Sequence, residues 1–278
     1  EVAPISGLIA NLTCNPGIVY DLFINNPKAN VGGLYKTRDE VMSEIGRILG
    51  PGCDISVELN NPFEKDFSLI LEEAAKFREI FSKYRVVIKV PHTGAVTPEN
   101  VGQLLEGDKK LSCSYTDVKT AEAFRGHNLA LKLHEHGYRV NFTLMFEPYQ
   151  SQLALQARPY FINTFLRHRL VQSGNIKRML GAYEATGEAK HLDALRDYFV
   201  ANDFYPASQA GQKSGDEILR FGKSLLQYRH YGEAEGSDGL DGMRHNLRVL
   251  RNCNMEDTRL IVCSMEGPDN YPDIDKLL

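Results

Sequence analysis

The sequence has no surplus of basic charge: 32 Lys and Arg stand against 36 Asp and Glu, for a net charge of −4. That excludes a broad cationic face for nucleic acid and leaves room only for a local anion pocket. Cysteine is scarce. Cys14, Cys53, Cys113, Cys253 and Cys263 are scattered and odd in number, and no CxxC pair occurs. Neither a disulfide framework nor a cysteine zinc site is expected, and free thiols suit a reducing cytoplasmic location. No apolar run is long enough to span a bilayer and no signal-peptide pattern opens the chain, so no membrane partner is expected. The chain starts without Met, which reads as a processed or truncated start. Repeats and low-complexity blocks are also absent. What remains is a chain of 278 residues, 42% hydrophobic and 24% charged. It is enough for one large α/β domain or two small ones.

One stretch organises the rest: Arg85-Val86-Val87-Ile88-Lys89-Val90-Pro91-His92-Thr93. A β-branched run stopped by proline reads as a buried strand, and such strands normally exclude ammonium groups. Either Lys89 snorkels to solvent from a strand end, or it is buried for a reason. Burial disfavours the charged form, so a buried Lys89 would supply free amine near neutral pH, the requirement for attack on a carbonyl and Schiff-base formation.

Further strands are expected at 8–13, 54–59, 139–146, 160–165 and 260–264. Helices are expected at 37–48, where Thr37 and Glu40 have capping-box spacing, and over 65–84, 98–107, 117–137 and 147–157. Between the strand at 160–165 and the last strand the rhythm changes. Helices fit near 175–186, 189–201, 214–230 and 243–252, with a glycine-rich acidic loop, Gly232 to Gly242, that reads as a plain solvated loop. His134 and His136 are two apart on a helix, share no face, and read as surface residues. Alternating strands and helices predict parallel βαβ units, as a doubly wound sheet or a closed barrel.

Strand parity favours the barrel. Ser56, Glu58 and Asn60 share one face and Ile55, Val57 and Leu59 the other; Asn141, Thr143 and Met145 oppose Phe142, Leu144 and Phe146; Phe161, Asn163 and Phe165 go together. Each strand thus has an apolar face for helices and a second face with polar groups toward its C-terminal end. In a (β/α) barrel that second face points inward, and chemistry sits at the C-terminal mouth. Glu58 and Lys89 read as a pair: the carboxylate can take and return protons through a water that the Thr143 hydroxyl orients. Asn15, Asn141 and Asn163 can hydrogen-bond a polyol without carrying charge, or simply satisfy one another in a barrel layer.

These residues resemble the transaldolase family, Schiff-base enzymes on a (β/α)8 TIM barrel. Thr13-Cys14-Asn15-Pro16 resembles the family's TTNPS turn, Ser56-Val57-Glu58-Leu59 its STEVD strand, and Ile88-Lys89-Val90-Pro91 its lysine strand. Asn141-Phe142-Thr143-Leu144-Met145-Phe146 resembles NLTLLF, with Gln150 at that motif's following glutamine. The likeness runs from about residue 7 to 169 and returns at 258–266. It implies a single barrel domain over 1–278 that lacks the first and last family strands, with a helical insertion, 170–248, after the sixth. That insertion is expected at the active-site mouth, as a lid or a homodimer contact.

The resemblance implies transfer of a dihydroxyacetone unit from a ketose or ketose phosphate to an aldose, as in the pentose phosphate pathway, with neither a metal nor an organic cofactor. Lys89 would form the Schiff base, Glu58 and Thr143 would hold the catalytic water, and Asn15, Asn141 and Asn163 would contact the dihydroxyacetone portion. Phe165, with Glu58, favours group transfer over aldol cleavage. The family's phosphate-binding PFVGR becomes Thr164-Phe165-Leu166-Arg167-His168-Arg169, and its ASFR becomes Cys263-Ser264-Met265-Glu266. Arg167, His168, Arg169 and Ser264 are the expected tail-binding positions. Glu266 would repel a phosphate, and the family's acid/base aspartate would fall before Glu1. Two alternatives follow: a Schiff-base aldolase on a ketose with an altered tail, or a catalytically silent sugar-phosphate-binding barrel.

Overall fold

The computed structural model describes residues 7, 9–92, 105–106, 110–111, 124–202, 204–205 and 207–264. Six strands form one sheet: β1 (Asn11–Cys14), β2 (Asp54–Glu58), β3 (Arg85–Pro91), β6 (Arg139–Thr143), β7 (Phe161–Phe165) and β8 (Arg259–Cys263). They lie side by side in chain order. β4 (Leu105–Glu106) and β5 (Lys110–Leu111) make a separate antiparallel pair. Pairing from β1 through β7 is parallel. β7 and β8 run the same way, since Arg259 N–H donates to Tyr160 O and Leu166 N–H to Cys263 O. The architecture is a parallel α/β sheet with helices in the connections, consistent with a barrel-type fold. Of the helix expected at 98–107, residues 105 and 106 are strand instead; the rest lies outside the described residues, as does Glu266.

The chain divides into two compact units. The first holds the residues up to Met145, with Tyr149–Asn163 and Met255–Leu260. The second holds Phe146–Pro148, Thr164–Asn254 and the residues from Ile261 on.

In the first unit, helix α1 (Arg38–Leu49) starts at the expected capping box, Thr37 accepting from Glu40 N–H and Glu40 from Thr37 N–H. Helix α2 (Phe67–Ile80) is capped by Asp66, whose side chain accepts from Ser68 N–H. Helices α3 (Arg125–Glu135) and α4 (Pro148–Leu155) follow. One sheet face carries Ile55, Val57, Ile88, Val90, Phe142 and Ile162, all buried, as the apolar parity required. His134 and His136 are exposed.

The second unit has helices α5 (His168–Thr186), α6 (Lys190–Ala201), α7 (Ala207–Ala210), α8 (Gly215–Tyr228) and α9 (Asp241–Asn252). Ile176, Met179, Leu180, Leu195, Phe199 and Ile218 form its apolar core. Gly222 lets α8 approach α5: a Cβ there would meet Leu180 at 3.3 Å.

Candidate active site

The first unit brings Glu58 and Lys89 together as the parity predicts. They are register partners on β2 and β3, and Lys89 Nζ lies 3.3 Å from Glu58 Oε2. Lys89 is only 6% exposed. It does not snorkel; the buried ammonium meets a carboxylate, which offsets the cost of removing its charge from water. Asn141 is the register partner of Lys89 on the other side. The same face continues to Thr143, opposite Pro91.

Polar groups around the lysine are buried and partly unsatisfied. Asn141 Nδ2 donates to Ser56 Oγ at 3.2 Å, and Asn163 Nδ2 to Thr143 Oγ1 at 3.3 Å. This leaves Asn141 Oδ1 and Asn163 Oδ1 as buried acceptors with no hydrogen bond. Orphaned acceptors are rare in a finished core and suit a hydroxyl-bearing ligand. Because Thr143 Oγ1 accepts from Asn163, its own O–H remains free to donate. Asn15 Oδ1 accepts from Ile18 N–H at 2.7 Å, where the short helical segment Ile18–Ile24 begins.

Behind this face, Cys14 lies beside Met42. Burial pushes its thiol up to about 11, with smaller downward pulls from Lys89 and Arg38 and an upward push from Glu58. It is a packing thiol, not a nucleophile. His92 and His127 are also buried, and burial lowers both to about 4. Gln150, at the glutamine singled out above, has its Nε2 3.4 Å from His92 Nδ1.

The remaining sequence-predicted positions belong to the second unit. Phe165 ends β7 and packs against Phe146 with the rings tilted, centroids 4.9 Å apart. His168, the first residue of α5, packs against Phe146 in a tilted contact, centroids 4.3 Å apart. Burial, reinforced by the Arg229 charge, lowers His168 to about 4, so it presents a neutral ring. Arg169 Nη1 donates to Asp241 Oδ2 at 2.6 Å, and its Nε lies 3.1 Å from Glu147 Oε2 as an ion pair without hydrogen-bond alignment. Arg167 takes the left-handed backbone conformation at φ 58°. The glycine of PFVGR aligns here. Arg167 Nε donates to Asp238 O. Ser264 follows the end of β8. The acidic loop is therefore not merely solvated: Asp238 pairs with Arg244, and Asp241 with Arg169.

Sequence reasoning missed Arg229 and Arg38. Arg229 is buried, pairs with Glu147, and donates to Gln172 and Ser173; as an arginine after the end of α8 it gave no warning. Arg38 did give one. It occupies the first turn of a helix, where a cation opposes the macrodipole.

Among the described residues no group of three or more His, Cys, Asp or Glu side chains could hold a metal ion, and no helix is long and apolar enough to cross a membrane.

The site is thus a parallel α/β sheet carrying a buried lysine–carboxylate pair beside two buried amide oxygens without hydrogen bonds. A family model for transaldolase/fructose-6-phosphate aldolase matches residues 5–198, and the chain belongs to that family. That places it among enzymes of the transaldolase and aldolase kind. No curated protein matches the sequence closely enough to count as a relative.

Proposed function

We propose that the chain transfers a three-carbon dihydroxyacetone unit from a ketose to an aldose through a Schiff base on Lys89, on a sheet that forms part of a (β/α)8 barrel. One observation carries the reading: a lysine buried inside a parallel strand with a carboxylate at 3.3 Å. The lysine amine adds to the ketose carbonyl, and the carbinolamine loses water to give a protonated imine. Glu58 takes the proton that the ammonium sheds and returns it to the departing hydroxyl. The protonated imine then draws electrons from the adjacent carbon–carbon bond. As it cleaves, the neighbouring hydroxyl gives its proton through water to the Glu58 carboxylate, an aldehyde is released, and a three-carbon enamine is left on Lys89. Addition of that enamine to an aldose, followed by hydrolysis through water held by Glu58 and Thr143, frees the new ketose. Asn141 Oδ1 and Asn163 Oδ1 serve as acceptors for donor hydroxyls.

The experiment is borohydride trapping with fructose 6-phosphate or dihydroxyacetone, followed by peptide mass spectrometry. A reduced three-carbon adduct on Lys89, absent from Lys89→Ala, is the expected result. No adduct with either compound sinks the reading in favour of a barrel that binds sugar phosphates without reacting.

A specific observation favours a second reading for the donor's tail. At the positions the family uses for phosphate, Arg169 is already paired with Asp241 and Glu147, and His168 is a neutral ring packed against Phe146. An anion there would compete with carboxylates for the same guanidinium, which suits a ketose without a terminal phosphate. Trapping efficiency for fructose against fructose 6-phosphate decides between the two donors. Release of free dihydroxyacetone without any aldose acceptor would identify an aldolase.

A further inference from the structure

Arg38 is 5% exposed although it stands at the first position of α1, where neither burial nor the helix dipole favours a cation. Nε is buried without a hydrogen bond, but the two terminal nitrogens make three, and these converge on the end of β2. Nη1 donates to the main-chain carbonyl of Glu58 at 3.0 Å and to Asn60 Oδ1 at 2.7 Å. Nη2 donates to Glu73 Oε1 at 2.7 Å. The same Glu73 accepts from Asn60 N–H at 3.0 Å. Phe77 lies under the guanidinium, 4.5 Å from its centre, fixing its plane. An arginine from α1 and a glutamate from α2 thus clamp the chain on both sides of Leu59, where β2 has left the sheet ladder. Glu58 is the last residue of that strand, and without the clamp its backbone would be free to fray.

We propose that Arg38 is a positioning residue for Lys89 chemistry: by fixing the Glu58 carbonyl and the turn at Asn60, it keeps the Glu58 carboxylate against the lysine. The proposal rests on the Schiff-base reading, but its test does not need turnover. Reductive methylation of Lys89 with formaldehyde and cyanoborohydride, followed by peptide mass spectrometry across pH, reports how tightly the carboxylate holds the amine. The proteins are wild type, Glu58→Gln, Arg38→Met, Arg38→Lys and Asn60→Ala, with thermal melting and dihydroxyacetone trapping measured alongside.

Arg38→Met moves the Lys89 pH profile in the same direction as Glu58→Gln and slows trapping about 10- to 100-fold, the scale of a small misplacement of a reacting group. Arg38→Lys recovers part of both, because an ammonium can still donate to one of the two oxygens. A folded Arg38→Met protein with the wild-type profile and trapping rate overturns the proposal. Should Arg38→Met fail to fold, Asn60→Ala, which trims an exposed side chain, decides the matter. A smaller shift in the same direction supports the clamp, and an unchanged profile overturns it. A wild type that methylates but traps no ketose defeats the Schiff-base reading alone, and the methylation profiles still decide the role of Arg38.

Discussion

Lys89 and Glu58 are a pair whose halves are not interchangeable. Removing the lysine as Lys89→Met takes away one charge, leaves a carboxylate that is 16% exposed, and puts an apolar chain of similar length in an apolar strand. The expected outcome is complete loss of the borohydride adduct, with urea unfolding shifted by less than the reverse substitution costs, because the carboxylate left behind keeps some access to water. Glu58→Leu does the reverse and strands a buried ammonium. It is expected to cost about 3–5 kcal/mol in the same urea measurement. Equal effects from the two substitutions would show that the pair is not the electrostatic unit described above. The pairing of Lys89 with Glu58 was legible in the sequence because alternation leaves a polar residue inside a β-branched run nowhere to go but the second face. The clamp around Glu58 was not. Arg38, Asn60 and Glu73 come from three elements, and only the first carried a local sign of conflict.

At the scale of elements, local chemistry in the sequence held up wherever one segment supplied its own partners. The capping box of α1 is an example, and Thr37→Ala should cost about 1 kcal/mol in thermal or urea unfolding. Because Thr37 immediately precedes Arg38, the same substitution should also slow trapping at Lys89 slightly; an unchanged rate would separate the cap from the clamp. The acidic loop was misread for the opposite reason. Asp238 and Asp241 looked solvated because their partners, Arg244 and Arg169, lie outside the loop, and Arg167 holds it through the main-chain carbonyl of Asp238. Gly239 marks the closeness of the fit: its φ is +69°, and a Cβ would meet Arg167 Cγ at 2.9 Å. Gly239→Ala combines a disfavoured backbone with a clash and is expected to destabilise by more than about 1 kcal/mol, read as a lowered melting temperature.

At the scale of the molecule, three buried histidines contribute to the response to acid. His92, His127 and His168 are each lowered to about 4, burial being the first cause. The folded chain keeps these rings neutral where an unfolded chain binds protons near the ordinary histidine value of 6.5. Their stabilising effect is therefore complete above pH 6.5 and is lost as pH falls from there through about 4. The urea midpoint should decline across that window, and His92→Gln should flatten the decline. A midpoint constant between pH 6.5 and pH 4 would contradict the burial of these rings.

The strand order has a consequence for how the protein is made. Each strand of the main sheet pairs with the one before it in the chain, so during synthesis every newly emerged strand finds its docking edge already built, and the sheet can grow by accretion from β1 to β7. β8 alone must wait, because the five helices α5 to α9 are made before it. A nascent chain halted after β7 would carry the lysine strand between both of its neighbours, with the Lys89–Glu58 pair already formed.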